Sequence, residues 1–172
     1  MLALSVQPRA DEVTAVDASR AAALAARTNA LINRRPIEVL HGDLFGAIAG
    51  RRFDTIISNP PYLPVAGGHD RRLGSHAWNG GADGRSVIDR ICRGAAGHLA
   101  SGGELLLVQS SLTRVGPTLE LLEASGLQAS VVASHPGPLG TLAREQLDHL
   151  RSLGVAQPDG AEQIVVISGI SG

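Results

Sequence analysis

Apolar positions along the chain follow two alternating rhythms, one of period two and one of period near 3.6. Glu12-Val13-Thr14-Ala15-Val16-Asp17 alternates and is rich in β-branched residues, which predicts a strand. Met1 to Val6 before it is short and apolar, and Pro8 to Asp11 reads as a break. Ser19 stands where a helix cap belongs, and the alanine-rich run Arg20 to Asn33 predicts a helix. Ile37-Glu38-Val39-Leu40 predicts a second strand, ended by His41-Gly42-Asp43. Phe53 to Ser58 predicts a third, after a short segment of helical character.

The second half continues the alternation. Gly84 to Ala100 carries an apolar stripe at Val87, Ile88, Ile91 and Leu99 and predicts a helix. Glu104 to Gln109 reads as a nearly continuous apolar strand, buried on both faces. Pro117 and Gly126 bracket a helix, and Leu127 to Ser134 follows as a strand ended by the turn His135-Pro136-Gly137-Pro138. Leu142, Leu147, Leu150 and Leu153 mark a further helix, and Gln163 to Ser168 a last strand.

Strands that alternate with helices imply an α/β fold with parallel pairing and right-handed crossovers. Asp17, Asp43 and Asn59 each stand just past a strand and are expected along the carboxyl edge of one sheet, where open α/β sheets bind ligands. Residues 1–172 read as one domain without an internal repeat. The Gly-rich stretch Leu63 to Asp83 exceeds the usual connection, so a lid or substrate loop is expected there, with disorder as the plainer alternative.

Composition narrows the class. The chain has 172 residues, 44% of them hydrophobic, enough for a real core. Its net charge of −1 gives no whole-domain footprint for nucleic acid or an anionic membrane. There is no lysine, and the pairs Arg34-Arg35, Arg51-Arg52 and Arg71-Arg72 read as solvated loop charge. A lone Cys92 reads as a core thiol in a reducing, cytoplasmic setting. No apolar run approaches a membrane span. His69, His76 and His135 have no metal-ligand spacing, and no metal site is expected. All four aromatic residues, Phe45, Phe53, Tyr62 and Trp78, fall between Asp43 and Asn79, which favours a flat-surfaced ligand site there, with Phe53 more simply explained as packing.

The sharpest chemistry lies in Ser58-Asn59-Pro60-Pro61-Tyr62. Two prolines fix successive φ angles, remove two backbone donors and push Asn59 toward extended geometry. What remains is mostly acceptors. The Asn59 side-chain oxygen and the carbonyls of the turn can converge on a small NH2 group, with Tyr62 as a flat neighbour. A Pro-Pro loop with a helix-capping Asn is the plain alternative. Asp17, at the end of Thr-Ala-Val-Asp, can accept both hydroxyls of a ribose or simply cap the following helix. Asp43 in Gly-Asp-Leu-Phe has a turn residue as its plain alternative.

Asn59-Pro60-Pro61-Tyr62 resembles the fourth motif of S-adenosylmethionine-dependent methyltransferases that modify amino or amide nitrogens. Ala77-Trp78-Asn79-Gly80-Gly81-Ala82-Asp83-Gly84-Arg85, followed by Val87-Ile88-Asp89-Arg90, is similar to the HemK-type protein-glutamine N5-methyltransferases, in the short branch without an N-terminal helical domain. The resemblance runs from about Leu2 to Ser168. It implies a Rossmann-like class I methyltransferase sheet with helices on both faces, and S-adenosylmethionine as cofactor. It implies Asp17 on the cofactor ribose, Asp43 and the Leu44 backbone at the adenine, with Phe45 near the ring, and Asn59 shared by cofactor and substrate. Asn59 and the Pro60 carbonyl would accept the two hydrogens of the target amide, Pro61 would hold the turn, and Tyr62 and Trp78 would flank the substrate. It also implies the glutamine of a peptide chain release factor as substrate, and leaves an activating subunit open.

The family carries a strand and a Gly-rich turn immediately before the segment matching Leu2 to Val6, where this sequence opens. In the family order 3-2-1-4-5-7-6 that strand is central, so open inner edges are expected on the Val13 and Ile56 strands. A start assigned too late or a degraded copy is favoured over a sheet closed in another way. Two other functions compete: amino methylation of DNA or RNA, against which the absence of a basic patch counts, and an inactive remnant that only binds.

Overall fold

The alternation around Val13 becomes strand β1 (Val13–Asp17), and Ile37 opens its parallel partner β2 (Ile37–His41), in register from Val13 opposite Ile37 to Asp17 opposite His41. This computed structural model describes residues 2–6, 9–67, 77–157 and 160–172; His69, His76 and the pair Arg71-Arg72 lie outside them, as do Met1 and Pro8. The contacts fall into two compact units, Met1–Arg51 and Arg52–Gly172.

In the first unit, helix α1 (Leu2–Val6) precedes β1, helix α2 (Arg20–Ile32) joins β1 to β2, and a 3-10 turn (Leu44–Ile48) follows. Ser19 is extended, and its hydroxyl accepts from Ala22 N at 3.3 Å, so the capping residue starts the helix as expected. Ala23, Ala30, Val39 and Ile48 are buried. Arg27 reaches from α2 to donate twice to the Val39 carbonyl, at 3.1 and 2.9 Å, and so ties helix to strand.

The second unit has four strands in the order β3-β4-β6-β5: β3 (Phe53–Ser58), β4 (Leu99–Ser110), β5 (Leu127–Pro138) and β6 (Ala161–Ser171). β3 and β4 run parallel, while β6 is antiparallel to both β4 and β5. Helices α3 (Ile88–His98) and α4 (Val115–Ala124) pack together. Leu105, Leu107 and Gln109 share the face of β4 that meets α4, and all three are fully buried. Cys92 on α3 is also fully buried, and that burial pushes its thiol up to about 11, in keeping with a core thiol.

The pairing matches the family order with its central strand left out, as β2-β1 and β3-β4-β6-β5. One expectation is corrected. Asp17, Asp43 and Asn59 do not share one sheet edge, because among the described residues β1 pairs only with β2 and β3 only with β4. Two further differences are local. His135 to Pro138 continues β5 instead of turning, with Pro136 opposite Gln163; an edge strand tolerates the missing proline donors. The helix expected over Leu142 to Leu153 is two short ones, α5 (Thr141–Glu145) and α6 (Leu147–Ser152), broken at Gln146.

Candidate active site

Asp17 closes β1, and its carbonyl accepts from Gly42 N at 3.0 Å, so the residues that follow β2 are fastened to the end of β1. Asp17 and Asp43 thereby stand at the carboxyl end of the same pair of strands. The Asp17 Oδ1 accepts from Ser19 N at 2.8 Å, which orients the carboxylate, while the cap of α2 is Ser19 and not Asp17. Both aspartates are exposed. Leu44 opens the 3-10 turn with φ +47°, a left-handed conformation that a branched side chain adopts only under constraint. Gly42 makes the turn fit, since a Cβ there would lie 2.6 Å from the Ala47 Cβ.

Asn59 follows β3 directly in the second unit. It is exposed, whereas Pro60 is buried and Pro61 and Tyr62 are half-buried, so the prolines seat the turn and leave the amide outward. Burial holds the Tyr62 hydroxyl above the ordinary phenol value, and the negative charge of Glu162 adds to it. Tyr62 is therefore a neutral hydroxyl at physiological pH.

The chain after Tyr62 is anchored at both ends. Leu63 N donates to the Trp78 carbonyl, Gly80 N to the Leu63 carbonyl and Val65 N to the Gly81 carbonyl, each at 3.0 Å. Leu63 and Val65 sink into a cluster with Leu112, Leu139, Ala143 and Leu150, which brings α5 and α6 beneath the segment. Gln146 Oε1 accepts from Ala66 N at 3.2 Å, and His149 Nε2 lies 2.6 Å from the Ala82 carbonyl. Trp78 remains 56% exposed on this ribbon. Gln146 and His149 went unnoticed in the sequence, and Arg85 was read only as the end of the motif of residues 77–85 and not as a buried anchor, because these contacts span 28 to 80 residues.

The site residues thus form two groups, Asp17, Asp43 and Leu44 on the first unit and Asn59 to Tyr62 with Trp78 on the second. Residues 1–74 match the family model of the methyltransferase small domain. A putative protein N5-glutamine methyltransferase of Methanocaldococcus jannaschii is 35% identical over 127 residues, 72% of this chain and 63% of the relative. Both kinds of match are to methyltransferases. A release factor glutamine methyltransferase of Deinococcus radiodurans is 38% identical over 129 residues, 70% of this chain and 44% of that one. The chain therefore spans less than two thirds of either relative.

Solved methyltransferases share the class I fold. The T. thermophilus 16S rRNA N2 G1207 methyltransferase, in complex with AdoMet and guanosine, is 20% identical and covers 99% of this chain and 34% of its own, with a TM-score of 0.56. The E. cuniculi Mtq2–Trm112 complex, described as responsible for methylation of the termination factor eRF1, is 20% identical and covers 99% of this chain and 91% of its own, with a TM-score of 0.55. The first unit offers an acceptor set that suits such a cofactor: two carboxylates for hydroxyl or amino donors, beside a constrained backbone turn. Among the described residues, no cluster of His, Cys, Asp and Glu could hold a metal, and no helix is long and apolar enough to cross a membrane.

Proposed function

We propose that this protein is an S-adenosylmethionine-dependent N-methyltransferase acting on a glutamine side-chain amide of a peptide chain release factor. The observation that carries the reading is the turn past β3, where buried Pro60 seats an exposed Asn59 beside half-buried Tyr62. The protein N5-glutamine relatives support the same substrate chemistry. The reading takes residues 1–172 as parts of one catalytic domain in the cytoplasm, with a protein substrate as partner and an activating subunit left open.

An amide nitrogen is a weak nucleophile, because its lone pair is delocalised into the carbonyl. The Asn59 side-chain oxygen and the Pro60 carbonyl each accept one of its hydrogens, which orients the nitrogen and stabilises the positive charge that develops on it. Tyr62 and Trp78 flank the planar amide, and Pro61 keeps the turn rigid. On the first unit, Asp17, Asp43 and the Leu44 backbone would hold the cofactor. When bound, S-adenosylmethionine supplies an electrophilic methyl group on a sulfonium. The proton left on the nitrogen departs to water, so the mechanism needs no strong base, in keeping with a protonated Tyr62.

The test is transfer of radiolabelled methyl to a release factor with a Gly-Gly-Gln loop, beside a guanine-containing RNA. Asn59→Ala should lower kcat by about 10²- to 10³-fold while calorimetry still detects cofactor binding. Labelling of the RNA alone would replace the substrate, and equal turnover by the variant would remove Asn59 from the mechanism.

A further inference from the structure

Directly after Gly84, which abuts the Tyr62 carbonyl, comes a charged side chain that the reaction does not use. Arg85 is only 8% exposed. Its Nη1 donates to the Thr113 carbonyl at 2.7 Å, the Arg114 carbonyl at 3.0 Å and Thr118 Oγ1 at 3.1 Å. Its Nη2 lies 2.7 Å from Asp89 Oδ1, an ion pair without an aligned hydrogen bond. Gln109, fully buried at the end of β4, completes the network: its amide donates to Thr113 Oγ1 at 3.0 Å and accepts from Thr118 Oγ1 at 2.7 Å. One guanidinium therefore joins α3, the Ser111–Thr113 turn and the start of α4.

Such a network is a poor device for stability alone. Taking a guanidinium out of water is costly, and apolar side chains of similar volume often serve a core as well or better. What it supplies is a fixed position. Gly84, the residue before Arg85, has φ +77°, and a Cβ on it would lie 2.5 Å from the Tyr62 carbonyl, 2.6 Å from Thr113 Cγ2 and 3.1 Å from Pro64 Cδ. Thr113 is thus gripped by Arg85 through its carbonyl and touches Gly84 through its methyl, while Gly84 bears directly on the Tyr62 backbone.

We propose that Arg85 is a positioning residue, which sets the depth of Gly84 against Thr113 and thereby holds the Pro60 to Pro64 segment, with its Asn59 and Pro60 acceptors, in register for the substrate amide. The functional half of this inference rests on the glutamine reading above; the structural half does not.

The experiment compares the wild-type chain with Arg85→Met/Asp89→Leu, in which both charges are replaced together, and with Arg85→Lys. Amide exchange by NMR is read without any ligand. The Leu63 and Val65 amides, which close the ribbon, should exchange about tenfold faster or more in the double variant, while Leu105 and Leu107 on β4 keep their protection. In methyl transfer, kcat should fall about 10- to 100-fold with cofactor affinity unchanged, and Arg85→Lys should recover part of it. Unchanged exchange at Leu63 and Val65, or unchanged kcat with altered exchange, overturns the proposal. If the double variant does not fold, Thr118→Val, which removes one acceptor of Nη1, decides by the same two readouts. A wild-type chain that labels no glutamine overturns the functional reading by itself, and the exchange comparison still judges the positioning role.

Discussion

Asn59 and Arg85 illustrate how unevenly single residues disclose their roles. Asn59 was legible because its neighbours are stiff: two prolines immediately after an apolar strand leave few conformations, and the polar group among them faces outward. Arg85 was not, because a basic residue before a helix is ordinarily solvated, and its acceptors at Thr113, Arg114 and Thr118 are contributed by a distant stretch of chain. Asp17 lies between these cases, since its carboxylate accepts from Ser19 N and also stands at the strand end where a cofactor hydroxyl would be met. At this scale Gly84 is the position most sensitive to a single methyl. Gly84→Ala combines a left-handed φ with a clash on the Tyr62 carbonyl, and is expected to lower stability by about 1–3 kcal/mol in denaturant titration.

Elements were legible where the apolar period was long and uninterrupted. β1, β2 and β3 fall within a residue of their expected bounds, and Ser19 begins α2 as its chemistry requires. The misses have physical causes. Prolines suggested a turn at the end of β5, but a strand with one open side loses nothing by lacking donors there. Gly84 to Val87 was expected to be helical, yet the close approach of Gly84 to Tyr62 delays α3 until Ile88. The pair α5 and α6 acquires its meaning only from what lies on it, namely Leu63 and Val65. Leu150, fully buried in that cluster, supports the ribbon after the Asn59 turn. Leu150→Ala should cost about 2–5 kcal/mol by thermal or denaturant unfolding and raise KM for the protein substrate more than it lowers cofactor affinity.

The whole molecule divides its stability between two units of different make-up. The first has a two-stranded sheet and a small buried set, Ala23, Ala30, Val39 and Ile48; the second has four strands and buries Leu105, Leu107, Leu122 and Ile167 completely. Few buried apolar contacts mean a low local opening energy. Amides of β1 and β2 are therefore expected to exchange well before those of β4 and β6, and equal protection would show that the two units open together. The alternating order of strands and helices was readable because hydrophobic period is local, and the division into a β1-β2 pair and a β3-β4-β6-β5 sheet agrees with the open inner edges expected on the Val13 and Ile56 strands.

The exposed indole of Trp78 gives this architecture a built-in optical reporter. It is the chain's one tryptophan and sits on the ribbon beyond Tyr62, away from the buried core. Intrinsic emission therefore starts near the water-exposed wavelength and should move little when the sheets unfold. A peptide that covers the ribbon should shift it to the blue, so a fluorescence titration distinguishes docking at Trp78 from a change elsewhere in the fold.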